Sequence, residues 1–479
     1  MASLIPENSA AFTLAEVARH CGGTHFGADA ACLGVSTDSR ADLRGRLFVA
    51  LRGERFDGHD FALRALAAGA AGVVVEREVA GLSAAGAYVQ VSSTIGALGA
   101  LGAAHRARWA KRIVAVAGSA GKTTTRSAIS ALLGDLFPGA VHFAAGNLNN
   151  LIGVPMVLLG LGPEHRVGVV EIGTNAPGEV RTLSAMATPD LAVLTLIGIE
   201  HSEGLGDLDG IEREEGEIWS GLGAEGLAIS NADDERVQRT VAAQTPHRSL
   251  SYGYAEGANY RLRSRTPNAL GGSALQLERR TPFAQDAIRI DTPLLGEAGA
   301  YATLAALAVA EWLSGAALEP GRVTHALSGA GEPGRLTPLE LGDGTVVLDD
   351  SYNSNPASVH SSLAAAREIA RARGARLLLV LGEMRELGAL SGEQHDQVGE
   401  LLTDSGAAVL LAVAGDARRF VPAAQRAGLD AHFAETAEQA LGLLLTKLEA
   451  KDVVLVKASR GVRAERLVRG LIEAKGRTP

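Results

Sequence analysis

The stretch VAVAGSAGKTTT, Val114–Thr125, decides how the chain is read. Val114–Ala117 is an apolar run that predicts a buried strand, Gly118–Gly121 a tight turn, and Lys122 with the hydroxyl run Thr123–Thr125 the opening of a helix. Such a turn brings free backbone N–H groups and the positive end of a helix dipole to one point, where a phosphate is held. Lys122 adds a full positive charge, and the Thr123 hydroxyl is placed to ligate Mg²⁺. In the pattern G-x-x-x-x-G-K-[ST] the first glycine would fall at Val116, so the match is partial. In a chain with 58 glycines an ordinary strand-turn-helix stays open on this segment alone.

The alternation continues outward from the loop. VGVVEIG (Val167–Gly173), LAVLTLIG (Leu191–Gly198) and GLAISN (Gly226–Asn231) are apolar runs separated by helical stretches, the pattern of a parallel sheet covered on both faces. Leu250–Leu295 is rich in Tyr, Thr, Arg and Gly and lacks a helical period, which predicts an antiparallel appendage. Before the loop, LFVAL (Leu47–Leu51) and GVVVE (Gly72–Glu76) belong to a first block ending in a charged helical linker, His105–Arg112. From about Leu318 a third block repeats the alternation through TVVLDDSY, ARLLLVLG, AAVLLAVAG and VVLVKAS. The expectation is an α/β protein of three domains. Residues 1–110 form an N-terminal α/β domain, 111–317 a central P-loop domain with a mostly parallel sheet, and 318–479 a C-terminal Rossmann-like domain.

Composition agrees with that frame. At roughly 150 residues per domain, 479 residues suggest three, and 47% hydrophobic residues fill their cores. A net charge of −9 argues against nucleic acid as the main partner. The start MASLIPENSAAFTL has no basic segment followed by a long apolar core, and no apolar run is long enough to span a bilayer, so a cytoplasmic protein without membrane insertion is expected. Cys21 and Cys32 are too few for a disulfide framework, and no Cys/His spacing suggests zinc.

Chemistry gathers at strand ends, where ligands bind in open α/β sheets. Glu171 closes VGVVEIG, where it would share a Mg²⁺ with Thr123 or stand as an exposed acid. His201 and Glu203 follow LAVLTLIG, and a single His there is either a ligand or a hydrogen-bonded structural residue. DDSYNSNP, with Asp349, Asp350, Tyr352, Asn353 and Asn355, reads equally as a site or as a turn before Pro356. Lys457, Ser459 and Arg460 form another strand-end group.

Together these segments resemble the Mur ligases of peptidoglycan synthesis over nearly the whole chain. STDSR (Ser36–Arg40), LFVALRG (Leu47–Gly53) and DGHDF (Asp57–Phe61) are similar to the family's UDP-sugar-binding domain. GSAGKTT, GNLNNLIGVP (Gly146–Pro155), EIGTNAPGE (Glu171–Glu179), EHSEGLG (Glu200–Gly206) and NADD (Asn231–Asp234) resemble its ATPase core. GEPGRL (Gly331–Leu336), DDSYNSNP, LGEMRELG (Leu381–Gly388), His395 and VKASRG resemble its C-terminal domain. GNLNN with DDSYNSNP and LGEMRELG points to the member that adds D-alanyl-D-alanine.

The resemblance implies a reaction and a residue set. The terminal carboxylate of UDP-N-acetylmuramoyl-tripeptide attacks ATP to give an acyl phosphate, and the amine of D-alanyl-D-alanine displaces phosphate. ATP and two Mg²⁺ ions are implied, as is a monomer. Gly118, Ser119, Ala120, Gly121, Lys122, Thr123, Thr124, Asn147, Arg335, Asp350 and Asn353 would hold the nucleotide, with Asp350 on its ribose. Thr123 and Glu171 would hold one metal, and His201 and Glu215 the other. Ser39, Arg40, Asp57, His59, Asn149, Asn150 and Asn355 would contact substrates, and Lys122, His201, Glu215 and Arg335 would act in catalysis, in a site completed when the third domain closes on the second.

Two departures stand out. Relatives carry a lysine, carbamylated by CO₂, where IEREEGEIW has Glu215; the negative charge is kept on a shorter side chain. EREEGE also reads as a solvated acidic helix face, and Glu214 is expected to matter little. In LLGEAGAYATLAAL (Leu294–Leu307), Ala298, Gly299 and Ala302 replace the His and two Asn that support the nucleotide base in relatives. A folylpolyglutamate-synthetase-like or other amino-acid ligase, and a nucleotide-binding paralogue without turnover, remain as alternatives.

Overall fold

The computed structural model describes residues 6–53, 56–244, 248–268 and 271–476. Three sheets in chain order carry the three blocks. The first has five strands, in the order Thr24–Phe26, Tyr88–Gln90, Gly72–Val75, Leu47–Val49 and Val35–Ser36, parallel except for the first pair. Its Val- and Leu-rich strands are buried on both faces.

The expected linker is helical as far as Trp109, and Arg112 already opens the phosphate-loop strand. Helix Thr94–Trp109 is capped by Ser93, whose Oγ accepts from Gly96 N–H at 3.1 Å. At its other end the buried Arg106 donates to the carbonyls of Ala187 at 2.9 Å and Thr188 at 3.0 Å. Met156 and Leu159 of the second block complete the first block's core. First and second domains therefore share one hydrophobic cluster.

The central sheet has nine strands, running from Gln285–Thr292 through Ser273–Arg280, Tyr260–Pro267, Arg248–Gly253, Leu227–Asn231, Leu191–Leu194 and Arg112–Ala117 to Val167–Glu171 and Val141–Phe143. The phosphate-loop strand lies between Val167–Glu171 and Leu191–Leu194, parallel to both, with Val116 opposite Glu171 and Val193. This register puts the loop, Glu171 and the turn after Leu194 at one carboxyl edge. The expected antiparallel segment is present, but it extends the same sheet. Tyr252–Gly253 pairs in parallel with Tyr260–Arg261 before the last strands turn antiparallel.

The boundary expected at 317/318 is corrected. Leu318, Val323 and Leu327 pack in the central core, and Arg322 Nε donates to Asp135 Oδ2 at 2.5 Å. Helix Pro320–Leu327 therefore belongs to the second domain, and the chain crosses over at about residues 330–336, before strand Thr337–Glu340. The reason is sequence-local: a Pro-capped helix at the end of one domain has the same apolar period as one opening the next.

The third sheet runs Thr337–Glu340, Val346–Asp350, Val453–Lys457, Leu377–Gly382, Val409–Val413 and Asp430–Ala434, parallel except for its first strand. Asp350 and Lys457 are register partners at its carboxyl edge. Among the described residues no helix is long and apolar enough to cross a membrane.

Candidate active site

Gly118 has φ 122°, and a Cβ there would meet Thr195 Oγ1 at 2.2 Å. Only glycine fits this point, which lets the loop backbone close on itself. Gly121, φ 85°, caps helix Lys122–Leu136 without a side-chain hydrogen bond, so the first-turn N–H groups are left for a ligand.

Three buried carboxylates surround the loop. Lys122 Nζ donates to Gly118 O and lies 3.4 Å from Glu200 Oε1. Burial depresses the Lys122 ammonium, but Glu200, Glu215 and Glu171 outweigh it and leave its pKa raised. Glu215 is fully buried; Oε2 accepts from Gly118 N–H at 2.8 Å, while Oε1 has no hydrogen-bond partner among the described residues. Burial, with Glu200 beside it and Lys122 opposing, pushes the Glu215 carboxyl up to about 8. Glu171 accepts from Thr123 Oγ1 at 3.0 Å, Arg126 Nε at 3.2 Å and Asn149 Nδ2 at 2.9 Å.

The alternative reading of EREEGE as a solvated acidic face does not hold at Glu214 and Glu215, and Glu214, expected to matter little, has a structural task. Glu214 is buried and accepts from Gly178 N–H at 2.7 Å, Val180 N–H at 2.8 Å and Thr174 Oγ1 at 3.2 Å, fixing the turn after Glu171. Alternation of charge in the sequence concealed Glu214 as a second inward-pointing acid beside Glu215.

These groups fit Mg²⁺. A buried orphan carboxylate oxygen and a hydroxyl are hard oxygen donors of the kind this ion takes. No three His, Cys, Asp or Glu side chains close into a ready cage among the described residues. His201 stands beside this cluster, with Nε2 3.7 Å from Glu200 Oε2 and Nδ1 2.7 Å from Glu386 Oε2 of the third domain.

The third domain closes the site. Asn355 caps helix Pro356–Arg373 through Oδ1, which accepts from Ser358 N–H at 2.8 Å, and its Nδ2 donates to Ser119 O at 3.3 Å. Asp350 accepts from Lys457 Nζ at 2.7 Å, Ser362 Oγ at 2.6 Å and Leu336 N–H at 3.1 Å. Burial lowers the Lys457 ammonium, and Asp350 works against that. The guanidinium of Arg335 lies 4.2 Å from the Tyr352 ring centre, with Arg460 also stacked on that ring.

One cavity of about 740 Å³ joins the two halves. It is lined by Ser119–Thr124, Asn147, Asn149, Asn150, Glu171 and His201 from one side and by Arg335, Asp350, Asn353 and Asn355 from the other. Gly118 and Glu215, bonded to each other, are not among its lining residues. Ser39, Arg40, Asp57 and His59 are outside it. Arg40 is paired with Asp38, Ser39 accepts from Arg64, and Asp57 binds Arg77. His59 is corrected from a substrate contact to an internal strut: it is 2% exposed, with Nδ1 on Asp57 and Nε2 accepting from Glu76 N–H. Asn150 also has a structural task, its Oδ1 accepting from Gly153 N–H at 2.9 Å.

Sequence reasoning missed Glu200, Arg126, Glu386 and the far wall of the cavity. There Tyr301 Oη lies 2.8 Å from Asp233 Oδ2 and 2.9 Å from Glu297 Oε1, and Arg265 pairs with Glu368. Gly299 and Ala302 are buried in helix Gly296–Ser314, and Ala298 faces the cavity. The available signal was Glu297 and Tyr301, two polar residues four apart on an Ala-rich helix and therefore on one face.

Comparison with known proteins follows the same division. Residues 33–106 match the model described as Mur ligase family, catalytic domain; 116–310 match the Mur ligase middle domain; 334–460 match the Mur ligase, glutamate ligase domain. An Escherichia coli K12 protein named UDP-N-acetylmuramoyl-tripeptide--D-alanyl-D-alanine ligase is 36% identical over 465 residues, covering 96% of this chain and 98% of its own length. The chain belongs to the Mur ligase family. MurF from Acinetobacter baumannii has the same structure at a TM-score of 0.85, with 29% identity over 97% of this chain and 99% of its own. MurF ligase from Thermotoga maritima, solved in complex with ADP, superposes at 0.79, with 26% identity over 92% of this chain and 97% of its own. Within this Mur ligase the family's third segment begins at residue 334, beyond the helix that the structure assigns to the central core.

Proposed function

We propose that this Mur ligase joins D-alanyl-D-alanine to UDP-N-acetylmuramoyl-tripeptide, with ATP converted to ADP and phosphate, in the assembly of peptidoglycan precursors. The observation that carries the reading is the cavity shared by two domains, with Asn355 on one side bonded to Ser119 of the phosphate loop on the other. The identity to the E. coli ligase along almost the entire chain supports that acceptor over a folylpolyglutamate-type amino-acid ligase. The retained Lys122, Thr123, Glu171 and Arg335 argue against a paralogue without turnover.

The difficulty in this chemistry is crowded negative charge, because a carboxylate must approach a triphosphate. Lys122 and the free N–H groups of the first helical turn bind the β- and γ-phosphates, and Arg335 faces them from the third domain. Mg²⁺, taken as two ions, supplies further charge neutralisation when bound, held by Thr123 with Glu171 and by His201 with Glu215. The tripeptide carboxylate forms a bond to the γ-phosphorus as the bond to ADP breaks. The amine of D-alanyl-D-alanine then attacks the acyl carbon, phosphate leaves, and the amine proton passes to solvent or a nearby base. Closure of the third domain keeps water from the acyl phosphate. The protein acts in the cytoplasm as a monomer, and sedimentation at the mass of a single chain is the result expected of it.

The test is ADP release measured with each substrate omitted in turn. Release that needs both UDP-linked tripeptide and D-alanyl-D-alanine supports the reading; release indifferent to D-alanyl-D-alanine excludes it.

A further inference from the structure

Two non-glycine residues on opposite sides of the domain closure adopt left-handed backbone conformations and touch each other. His201 has φ 46° and Glu386 φ 65°, and His201 Nδ1 lies 2.7 Å from Glu386 Oε2. Such conformations are sparse for residues with a Cβ, persist where the surroundings fix them, and cluster at functional sites. Here the surroundings are each other's loops. Ser202 Oγ donates to Leu387 O at 3.0 Å, and Glu203 N–H points to Glu386 O at 3.5 Å. Gly388, φ 51°, lies so close that a Cβ would stand 3.0 Å from Glu203 Cα. The neighbouring Glu383 and Arg385 are paired with one another, which leaves Glu386 to reach the second domain.

We infer that Glu386 is a positioning residue for His201: docking of the third domain brings its carboxylate to Nδ1 and turns Nε2 toward Glu200, so the cation site is finished only in the closed molecule. The inference rests on His201 being a Mg²⁺ ligand, as read above. An imidazole that gives one nitrogen to a metal needs an acceptor at the other, and loss of that partner typically weakens metal binding 10–100-fold. Nδ1 is buried and 2.7 Å from the carboxylate oxygen, without the alignment of a hydrogen bond, so the contact is one that a cation at Nε2 would draw into line as Nδ1–H donating to the carboxylate. The Glu386 side chain is 61% exposed, so its charge at long range is screened by water. Its contribution is therefore the orientation of the ring, which only a side chain in contact can give.

The experiment uses the full chain with a saturating non-hydrolysable ATP analogue, and Mn²⁺ as the probe, its affinity read by water-proton relaxation. Glu386→Gly suits the left-handed backbone while deleting the carboxylate, and Glu386→Gln keeps an acceptor. The same substitutions are made in a His201→Gln background. The expected result is that Glu386→Gly and His201→Gln each weaken Mn²⁺ by about tenfold. Glu386→Gln should recover most of the affinity, and Glu386→Gly should add nothing once His201 is gone. Two results overturn the inference while sparing the ligand reading: unchanged affinity in Glu386→Gly with a weakened His201→Gln, or losses that add in the double variant. Unchanged affinity in His201→Gln removes His201 as a ligand, and the inference with it.

Discussion

The carboxylate of Glu215 accepts the backbone N–H of Gly118 at 2.8 Å, so an acid from a distant helix is anchored to the phosphate loop. The loop thus carries its own carboxyl group, with the second oxygen buried and unpartnered among the described residues.

Glu215→Gln removes the ionisable carboxyl and keeps the shape. It is expected to raise the Mg²⁺ concentration for half-maximal turnover and to slow turnover by about tenfold, within the range for lost metal-site support. Glu215→Lys should be poorly active in CO₂-depleted buffer and partly restored by bicarbonate. Glu214→Gln is the contrast: the amide cannot accept from all three donors, so it should cost about 1–3 kcal/mol of stability and leave the Mg²⁺ requirement unchanged. Steady-state rates across a Mg²⁺ series, with thermal melts, separate the two glutamates.

Lys122→Ala is expected to lower kcat by on the order of 10² or more, the scale for loss of one transition-state electrostatic group. Rapid-quench measurement of ADP formation checks it, and a near wild-type kcat would remove the loop from the reaction.

Asp350 compensates a buried cation. Asp350→Ala leaves Lys457 without its carboxylate, so the third domain should lose about 3–5 kcal/mol, the cost of breaking a buried pair from one side. Asp350→Ala with Lys457→Met should recover much of that stability in thermal melts. If the single variant melts like the wild type, the pair is not what orders DDSYNSNP.

His142 titrates abnormally. Burial, with His165 adding, lowers its pKa from 6.5 to about 4. Above pH 6.5 the ring is neutral in both folded and unfolded chains. As pH falls from about 6.5 to about 4 the unfolded chain takes up a proton that the folded one refuses, so stability is lost across that window and no further below it. Relative to His142→Gln, the wild type should lose about 2 kcal/mol between pH 7 and pH 5, read from denaturant melts. Parallel pH profiles would contradict this.

Much of the architecture was legible because it follows from local pattern. Continuous Val/Leu/Ile runs such as VGVVEIG announce strands buried on both faces, and VAVAGSAGKTTT carries its own turn and helix start. The lining set from Ser119 to Asn355 was readable because strand ends of parallel sheets converge. What the sequence did not disclose depends on long-range register. The boundary after Leu327 is set by which core accepts a helix. His59 has the residue type of a contact, and only burial shows it to be a strut. Glu214 and Glu215 are adjacent acids whose roles separate through partners at Gly178 and Gly118, and Glu386 gains meaning only by meeting His201 across the closure.

The most direct test of the central claim is mass spectrometry of the product formed from ATP, Mg²⁺, UDP-N-acetylmuramoyl-tripeptide and D-alanyl-D-alanine. The account predicts a UDP-linked pentapeptide in one-to-one ratio with released ADP. ADP release without a pentapeptide, or no turnover with saturating substrates, would contradict it.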